Sequence, residues 1–332
     1  MSKKILLLIC ALLITASSLI ITASARAQSI KVLIVDDVFR NIPKKDEPLE
    51  KMGKLGGSLM VNGVHYEGDL EVWKGESGIY LINELPLEDY VKSVVGAEVG
   101  AGWDMEALKT QAVISRTYAL YQKTANSNKN YDLTSSVMHQ VYKGNPVDAR
   151  VSYAVMNTNG EVLTYEGKLI EAFFHSTSGG KTEDAAEVFG KSYPYMKPVE
   201  SSCELSPYWL WEVKIPFEEI EKALNISGFK DMTVTSYTST KRVKTVDVGH
   251  RDGTLSIKAT DLRKNLGWSR LPSTNFELSR AEGAMVFEGK GYGHGVGLCQ
   301  WSALEMAKAG KTYKEILSFF YPGTVLQVYE NR

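Results

Sequence analysis

The chain has 332 residues, enough for one large domain or two smaller ones, and an ordinary globular composition. Its 38 basic and 39 acidic side chains nearly cancel, to a formal net charge of -1, so it lacks the basic excess expected of a nucleic-acid binder. Internal repeats, low-complexity tracts and blocks of like charge are absent from the sequence, which excludes solenoid and tail-driven architectures.

At the N-terminus, Lys3 and Lys4 precede an apolar run from Ile5 to about Ile21, followed by the small-residue pattern Ala25-Arg26-Ala27. This is the layout of a secretory signal peptide over residues 1–27, with cleavage expected after Ala27. The alternative is an uncleaved membrane anchor, because the run approaches the roughly 20 residues that span a bilayer. Either way the folded part, residues 28–332, is expected outside the cytoplasm. If Cys10 leaves with the leader, Cys203 and Cys299 remain, an even number in an oxidising compartment. A disulfide between them and two separate buried thiols are both open.

From Ile30 to about Ile82, β-branched runs and the Asn62-Gly63 turn predict short strands. Leu85 to Leu120 then predicts two amphipathic helices. In the first, Leu87, Tyr90, Val91, Val94 and Val95 form an apolar stripe whose next position is Glu98. In the second, Met105, Leu108 and Ala112 form a stripe that runs on to Arg116. Pro86 suits a first turn, Gly100 and Gly102 break the first helix, and Asp104 suits the N-cap of the second. Unpaired charges on packed faces are costly. The pattern leaves three readings: a structural ion pair between Glu98 and Arg116, a first helix that ends early and leaves Glu98 in solvent, and a catalytic Glu98.

Further along, Thr124 to Asn130 predicts a surface loop, Val151 to Asn157 a helix, and Glu171 to Phe174 a buried strand that enters the turn His175-Ser176-Thr177-Ser178-Gly179-Gly180. Trp209 to Ile215 and Thr245 to Val248 read as strands, with a helix near Phe217 to Leu224 and a hairpin signal at Asp252-Gly253. The glycine-rich Gly291 to Gly297 leads into a helix to about Lys308, and a last helix runs from Tyr313 to Phe320. The sum is an α+β fold, a helical core carrying Glu98 with mixed β segments on both sides. It reads as one unit that could divide into two lobes around a cleft.

Several familiar chemistries find no support. The His175 turn lacks the G-x-S-x-G elbow of a serine nucleophile, and the Gly291 loop lacks the G-K-[ST] of a phosphate loop. Neither Cys203 nor Cys299 lies in a C-x-x-C. A carboxylic acid on an apolar face can instead protonate a leaving oxygen. Ordinary glycosidases add a second carboxylate. A lytic transglycosylase needs only one, because the 6-hydroxyl of the sugar itself attacks the anomeric carbon and closes a 1,6-anhydro ring.

Three blocks carry a resemblance. They are EVGAGWDMEALKTQAVISRTYAL from Glu98, HSTSGGKTEDAAEVFG from His175, and GYGHGVGLCQWSALEMAKAGKTYKEILSFFYPGT from Gly291. In this order they resemble the stage II sporulation protein D and amidase-enhancer family of bacterial cell-wall proteins. The resemblance implies an exported peptidoglycan lytic transglycosylase with Glu98 as its catalytic acid/base, in the cell wall or extracellular. The other branch implies the alternative, a non-catalytic enhancer that binds the wall or a wall amidase. Expected partners are thus glycan strands and a wall amidase, with no nucleic acid, and a membrane only if residues 1–27 are retained.

Arg116 matches a family position tied to activity, and substrate contact is its expected role. Gln111 and Ser115 are expected to add polar contacts, and His175, Ser176 and Ser178 to shape a groove. His294 and Gln300 are expected to face the cleft, and Trp103 to form a sugar platform. Some relatives are expected to hold zinc with Cys and His after the second helix. Here Ser135 to Gln140 contains His139 and no cysteine, so neither a metal nor any other cofactor is expected.

Overall fold

The computed structural model describes residues 28–35, 39–44, 47–136, 139–144 and 148–329. The expected leader, residues 1–27 with Cys10, lies outside them. No helix among the described residues is long and apolar enough to cross a membrane. The architecture is α+β, as the sequence implies.

An N-terminal sheet has the strand order Glu50–Gly56, Asp69–Gly75, Gly78–Pro86, Ser29–Leu33, Leu133–Thr134, antiparallel except for the last pair. The hairpin Leu59–Val61 to Val64–Tyr66 turns at Asn62 and Gly63, both at positive φ (50° and 77°). That is the backbone a two-residue primed turn requires and the reason for Asn-Gly there. Strand Gly78–Pro86 feeds straight into helix α1 (Leu87–Glu98), with Pro86 as N-cap and Glu88 and Asp89 in the first turn, where the dipole favours acids.

Helix α2 (Met105–Ala125) begins at Asp104, whose carboxylate accepts the Glu106 amide at 2.9 Å. It is buried on nearly every face, packing against α1, α3 (Ala149–Met156) and strand Glu161–Tyr165. Its polar residues therefore need internal partners. Thr117 illustrates this, donating to the Val113 carbonyl at 2.7 Å and accepting the Leu163 amide at 3.0 Å. The expected loop at Thr124 is in fact the last turn of this helix, which runs one residue further.

After Glu161–Tyr165, strand Phe174–His175 pairs in parallel with Leu298–Cys299, although more than a hundred residues separate them. The expected strand over Glu171 to Phe174 is thus only its end. Helix α4 (Ala185–Phe189) follows. Most of the intervening chain forms an inserted lobe with its own core. Ile215, Ile220, Met232, Val246, Leu262 and Phe287 pack there between two three-stranded sheets, α5 (Phe217–Leu224) and α6 (Ala259–Leu266). One sheet orders Trp211–Pro216, Ala284–Gly289, Phe276–Ala281; the other orders Asp231–Tyr237, Val243–His250, Gly253–Lys258. Its hairpin turns at Arg251-Asp252, with Gly253 paired to His250.

The chain then returns to the core as α7 (Gln300–Lys308) and α8 (Tyr313–Phe320), both packed on α2. A capping box joins Thr312 and Glu315 at the start of α8. Helix α7 starts later than the glycine pattern suggests, because Leu298 and Cys299 are used as strand.

Phe287 is fully buried at the centre of the lobe, in edge-to-face contact with Phe276. Truncating it to alanine is expected to cost about 3–4 kcal/mol. Hydrogen exchange should then accelerate over residues 211–289 before it does in α1 and α2. Uniform acceleration would mean that the lobe and the helical core unfold as one unit.

Candidate active site

Glu98 is the last residue of α1, half-buried, with its two carboxylate oxygens held differently. Oε1 accepts the Val141 amide at 2.7 Å. Oε2 accepts, among the described residues, the Gln300 side-chain amide at 3.4 Å. Helix α1 builds the wall that supplies the first donor. The Tyr90 hydroxyl donates to Gln140 Oε1 at 2.9 Å, Ser93 donates to the Gly144 carbonyl, and the Tyr90 ring lies 5.4 Å from that of Tyr142. Gly144 has φ 68°, and a Cβ there would sit 2.2 Å from the His65 carbonyl, so the segment can pass only as glycine.

On the other side, Gln300 opens α7 and uses Nε2 twice, toward Glu98 and toward Gln111 Oε1 at 3.2 Å. Gln111 in turn donates to Ser115 Oγ at 3.0 Å, one turn along α2. The structure thus joins four of the residues singled out in the sequence into one chain of hydrogen bonds, Glu98, Gln300, Gln111 and Ser115. Gln111, Ser115 and Gln300 are all buried. They do not offer a surface to a ligand, as substrate contacts would; they hold the carboxyl.

Burial is the main influence on Glu98 and raises its pKa above the ordinary 4.5; the Val141 amide, Gln300 and the Lys143 charge oppose this without reversing it. Lys143 is exposed and carries the one charge among these influences. No feature of the sequence marked it or the Val141 amide, since both depend on where the 139–144 segment lands.

Arg116 is not where the sequence reading put it. It is fully buried and grips Glu88 bidentately, Nε to Oε1 at 2.8 Å and Nη2 to Oε2 at 2.7 Å, while Nη1 donates to the Glu161 carbonyl at 3.0 Å. It therefore contacts neither solvent nor Glu98, and the expected substrate contact and the Glu98–Arg116 pair both give way to an ion pair between α1 and α2. Helical spacing could have hinted at this, because Glu88 lies in the first turn of α1, on the flank of its apolar stripe.

Trp103 does lie beside the site. It is half-buried in the loop between α1 and α2, 5.1 Å from the ring of half-buried Trp301, the residue after Gln300. The Arg150 guanidinium braces that loop through the Ala101 and Trp103 carbonyls at 3.1 and 2.9 Å.

The groove residues of the two glycine turns fare differently. Ser176 is half-buried, and its carbonyl receives the Trp301 amide at 3.1 Å. Ser178 is fully buried and donates to the Ser201 carbonyl at 3.1 Å, so it is not a groove residue. His175 is also buried, with Nδ1 against the Val296 carbonyl at 3.1 Å, and burial keeps it neutral. His294 accepts the Val296 amide at Nδ1 (3.0 Å), donates to the Phe174 backbone and packs against Phe189. Burial, chiefly, lowers its pKa to about 3, so it too is a neutral packing residue with no nitrogen free for a ligand.

A family model described as Stage II sporulation protein matches residues 75–165, the stretch that holds Glu98, Gln111, Ser115, Arg116 and Val141. A second model, a domain of unknown function, matches residues 193–297 and so takes in the inserted lobe. An uncharacterized protein of Brachyspira hyodysenteriae is 35% identical over 79% of this chain and 72% of its own length. Stage II sporulation protein D of Bacillus amyloliquefaciens is 34% identical over 73% of this chain and 74% of its own. The amidase enhancer of Bacillus subtilis is 30% identical over 72% of this chain but only 40% of its own length.

Replacing Arg116 with alanine would strip Glu88 and the Glu161 carbonyl of their partner, and is expected to cost about 2–4 kcal/mol in chemical denaturation. Unchanged stability together with lost glycan binding would restore the substrate-contact role.

Proposed function

The chain belongs to the stage II sporulation protein D family, and we propose that it is a lytic transglycosylase of peptidoglycan, cutting glycan strands with Glu98 as its one acid/base. The observation that carries this reading is the Glu98 carboxyl itself. Burial favours its protonated form, and its donors, an amide N–H and a side-chain amide, are neutral. With Oε1 committed to Val141, Oε2 is the oxygen left to carry the proton.

In the first step Glu98 Oε2 protonates the glycosidic oxygen, and the bond from that oxygen to the anomeric carbon breaks. The leaving strand departs as an alcohol, and the sugar ring carries oxocarbenium character. The carboxylate so formed then takes the proton of the same sugar's 6-hydroxyl as its oxygen attacks the anomeric carbon. A 1,6-anhydro ring closes, Glu98 is protonated again and no water is consumed. Hydrolysis would call for a second carboxylate roughly 5–9.5 Å away. Trp103 and Trp301 supply apolar ring faces beside the acid for a sugar to lie against.

Similarity to the amidase enhancer supports a second reading, a non-catalytic protein that binds the wall or a wall amidase. Such a protein has no need of a carboxyl held ready to give up a proton. Residues 28–332 form the wall-active part in either reading.

Glu98→Gln keeps the shape and can still accept the Val141 amide, but its amide nitrogen cannot accept from Gln300 and it cannot deliver a proton. Release of anhydro-ended fragments from glycan strands should fall by about 10²–10⁴-fold while binding persists. Wild-type cleavage in this variant would refute the assignment, and no cleavage by the wild type would favour the enhancer. The raised pKa also sets a sign for stability. The folded state holds the Glu98 proton more tightly than the unfolded chain, a contribution present below 4.5 and lost as pH rises through the raised value. The wild type should therefore lose stability relative to Glu98→Gln across that window, and parallel curves would show that burial does not perturb the group.

A further inference from the structure

Behind the His175 turn, away from the groups that contact Glu98, a second cluster of reactive side chains is completely enclosed. Cys203 and Cys299 are both unbonded and both inaccessible to solvent. Ser178 touches each of them, its hydroxyl 3.3 Å from Cys203 Sγ and its amide 3.2 Å from Cys299 Sγ. The two thiols also hydrogen-bond to each other.

Their place in the chain is as informative as their contact. Cys203 lies just before the first strand of the inserted lobe, Trp211–Pro216, and Cys299 just after the chain has left its last, Ala284–Gly289. The pair therefore sits at the root of the lobe, where its two ends meet. Cys299 is held by the short parallel bridge to His175 and is the N-cap residue of α7.

The lobe sends one charge into this cluster. Arg242 is buried, with Nη2 donating to the Ser178 and Lys181 carbonyls, Nε 3.9 Å from Glu183, and Nη1 without a hydrogen-bond partner among the described residues. A Cβ on Gly295 would lie 2.9 Å from its guanidinium carbon, so the fit is tight. An enclosed cation with an unused donor favours a nearby thiolate. The hydrogen bond from Cys299 foremost, then Ser178 and the amides of Gly179 and Gly180, lower the Cys203 thiol against the effect of burial. Burial pushes Cys299 the other way, so it remains a thiol.

We propose that Cys203 and Cys299 are a closable dithiol, joined in an oxidising compartment into a disulfide that ties the two ends of the inserted lobe together and anchors the start of α7. Thiol–disulfide exchange supplies the chemistry. The Cys203 thiolate attacks one sulfur of a donor disulfide, such as oxidised glutathione, and expels one donor thiolate. Cys299 then gives up its proton and attacks the Cys203 sulfur of the mixed disulfide, expelling the second. One protein S–S bond forms, the donor S–S bond breaks, and the donor leaves as two thiols carrying the two cysteine protons. Because both sulfurs are enclosed in the folded chain, exchange takes place while the lobe's ends are still closing. The finished bond is then shielded from reductant. It would close a loop of about a hundred residues, the size at which a cross-link constrains the unfolded chain strongly.

The full chain, reduced and unfolded, is refolded in glutathione buffer poised oxidising, quenched in acid and alkylated under denaturing conditions. The expected result is no labelled cysteine and a mass two hydrogens lighter, with a melting temperature several degrees above that of the chain refolded with reductant. Cys299→Ser and Cys203→Ser should each leave one cysteine that alkylates or carries glutathione, and both should lose the rise in melting temperature. Both serines preserve the contacts to Ser178. Two fully labelled thiols after oxidising refolding would overturn the proposal. So would equal melting temperatures for the oxidised and reduced chains.

Discussion

A guanidinium sealed inside a protein must be neutralised where it lies, and in this fold Arg116 is neutralised by Glu88, not Glu98. That choice governs the rest of the site. The pair fixes the start of α1 against the middle of α2, and ten residues further on, about 15 Å along the helix, the donors to Glu98 among the described residues are the neutral Val141 and Gln300 amides. Had Arg116 faced Glu98, the carboxylate would have been stabilised and its strength as a proton donor lost. Separating the two charges along one helix allows the core to keep a cation while the site keeps an acid.

The remaining architecture serves that separation. One face of α1 carries Tyr90, Ser93 and Glu98, three side chains that bind the 139–144 segment in turn, so the helix that bears the acid also positions its amide donor. The other support arrives from far away in the chain. Gln300 reaches Glu98 only because Phe174–His175 and Leu298–Cys299 pair across the inserted lobe and set the start of α7. The lobe can therefore keep a core of its own while its two ends are held to the geometry of the site. Coupling of this kind places the demand for order at the root of the lobe, where Ser178, Arg242 and the two cysteines meet.

Much of this was legible in the residues. Periodicity located α1 and α2, Asp104 marked a cap that the structure forms, and the boundaries of Phe217–Leu224 and Tyr313–Phe320 match the expected helices. The stripe on α1 also identified Glu98 as a carboxyl on an apolar face. The partners were harder to read, because they are set by long-range packing and leave no local period. Arg116 and Glu88 are 28 positions apart, and Gln300 and Glu98 are 202 apart. The motif residues of the two glycine turns illustrate a second limit. His175, Ser178 and His294 have the composition of a binding groove, yet the turns fold inward, and His175 Nδ1, the Ser178 hydroxyl and His294 Nδ1 bond to backbone. Glycine density indicates close approach of backbone without saying whether the approach is to a ligand or to the protein itself.

The central claim is that Glu98 is held as an acid by burial among neutral donors. Its titration can be followed directly from the side-chain carboxyl carbon resonance of ¹³C-labelled protein, assigned by its loss in Glu98→Gln. The account predicts a midpoint above the ordinary glutamate value of 4.5. Replacing Gln300 with leucine, which removes a donor to the ionised form, should move it higher still. A midpoint at or below 4.5 in the wild type would contradict the account, because the carboxyl would then be a stabilised anion with no proton to give.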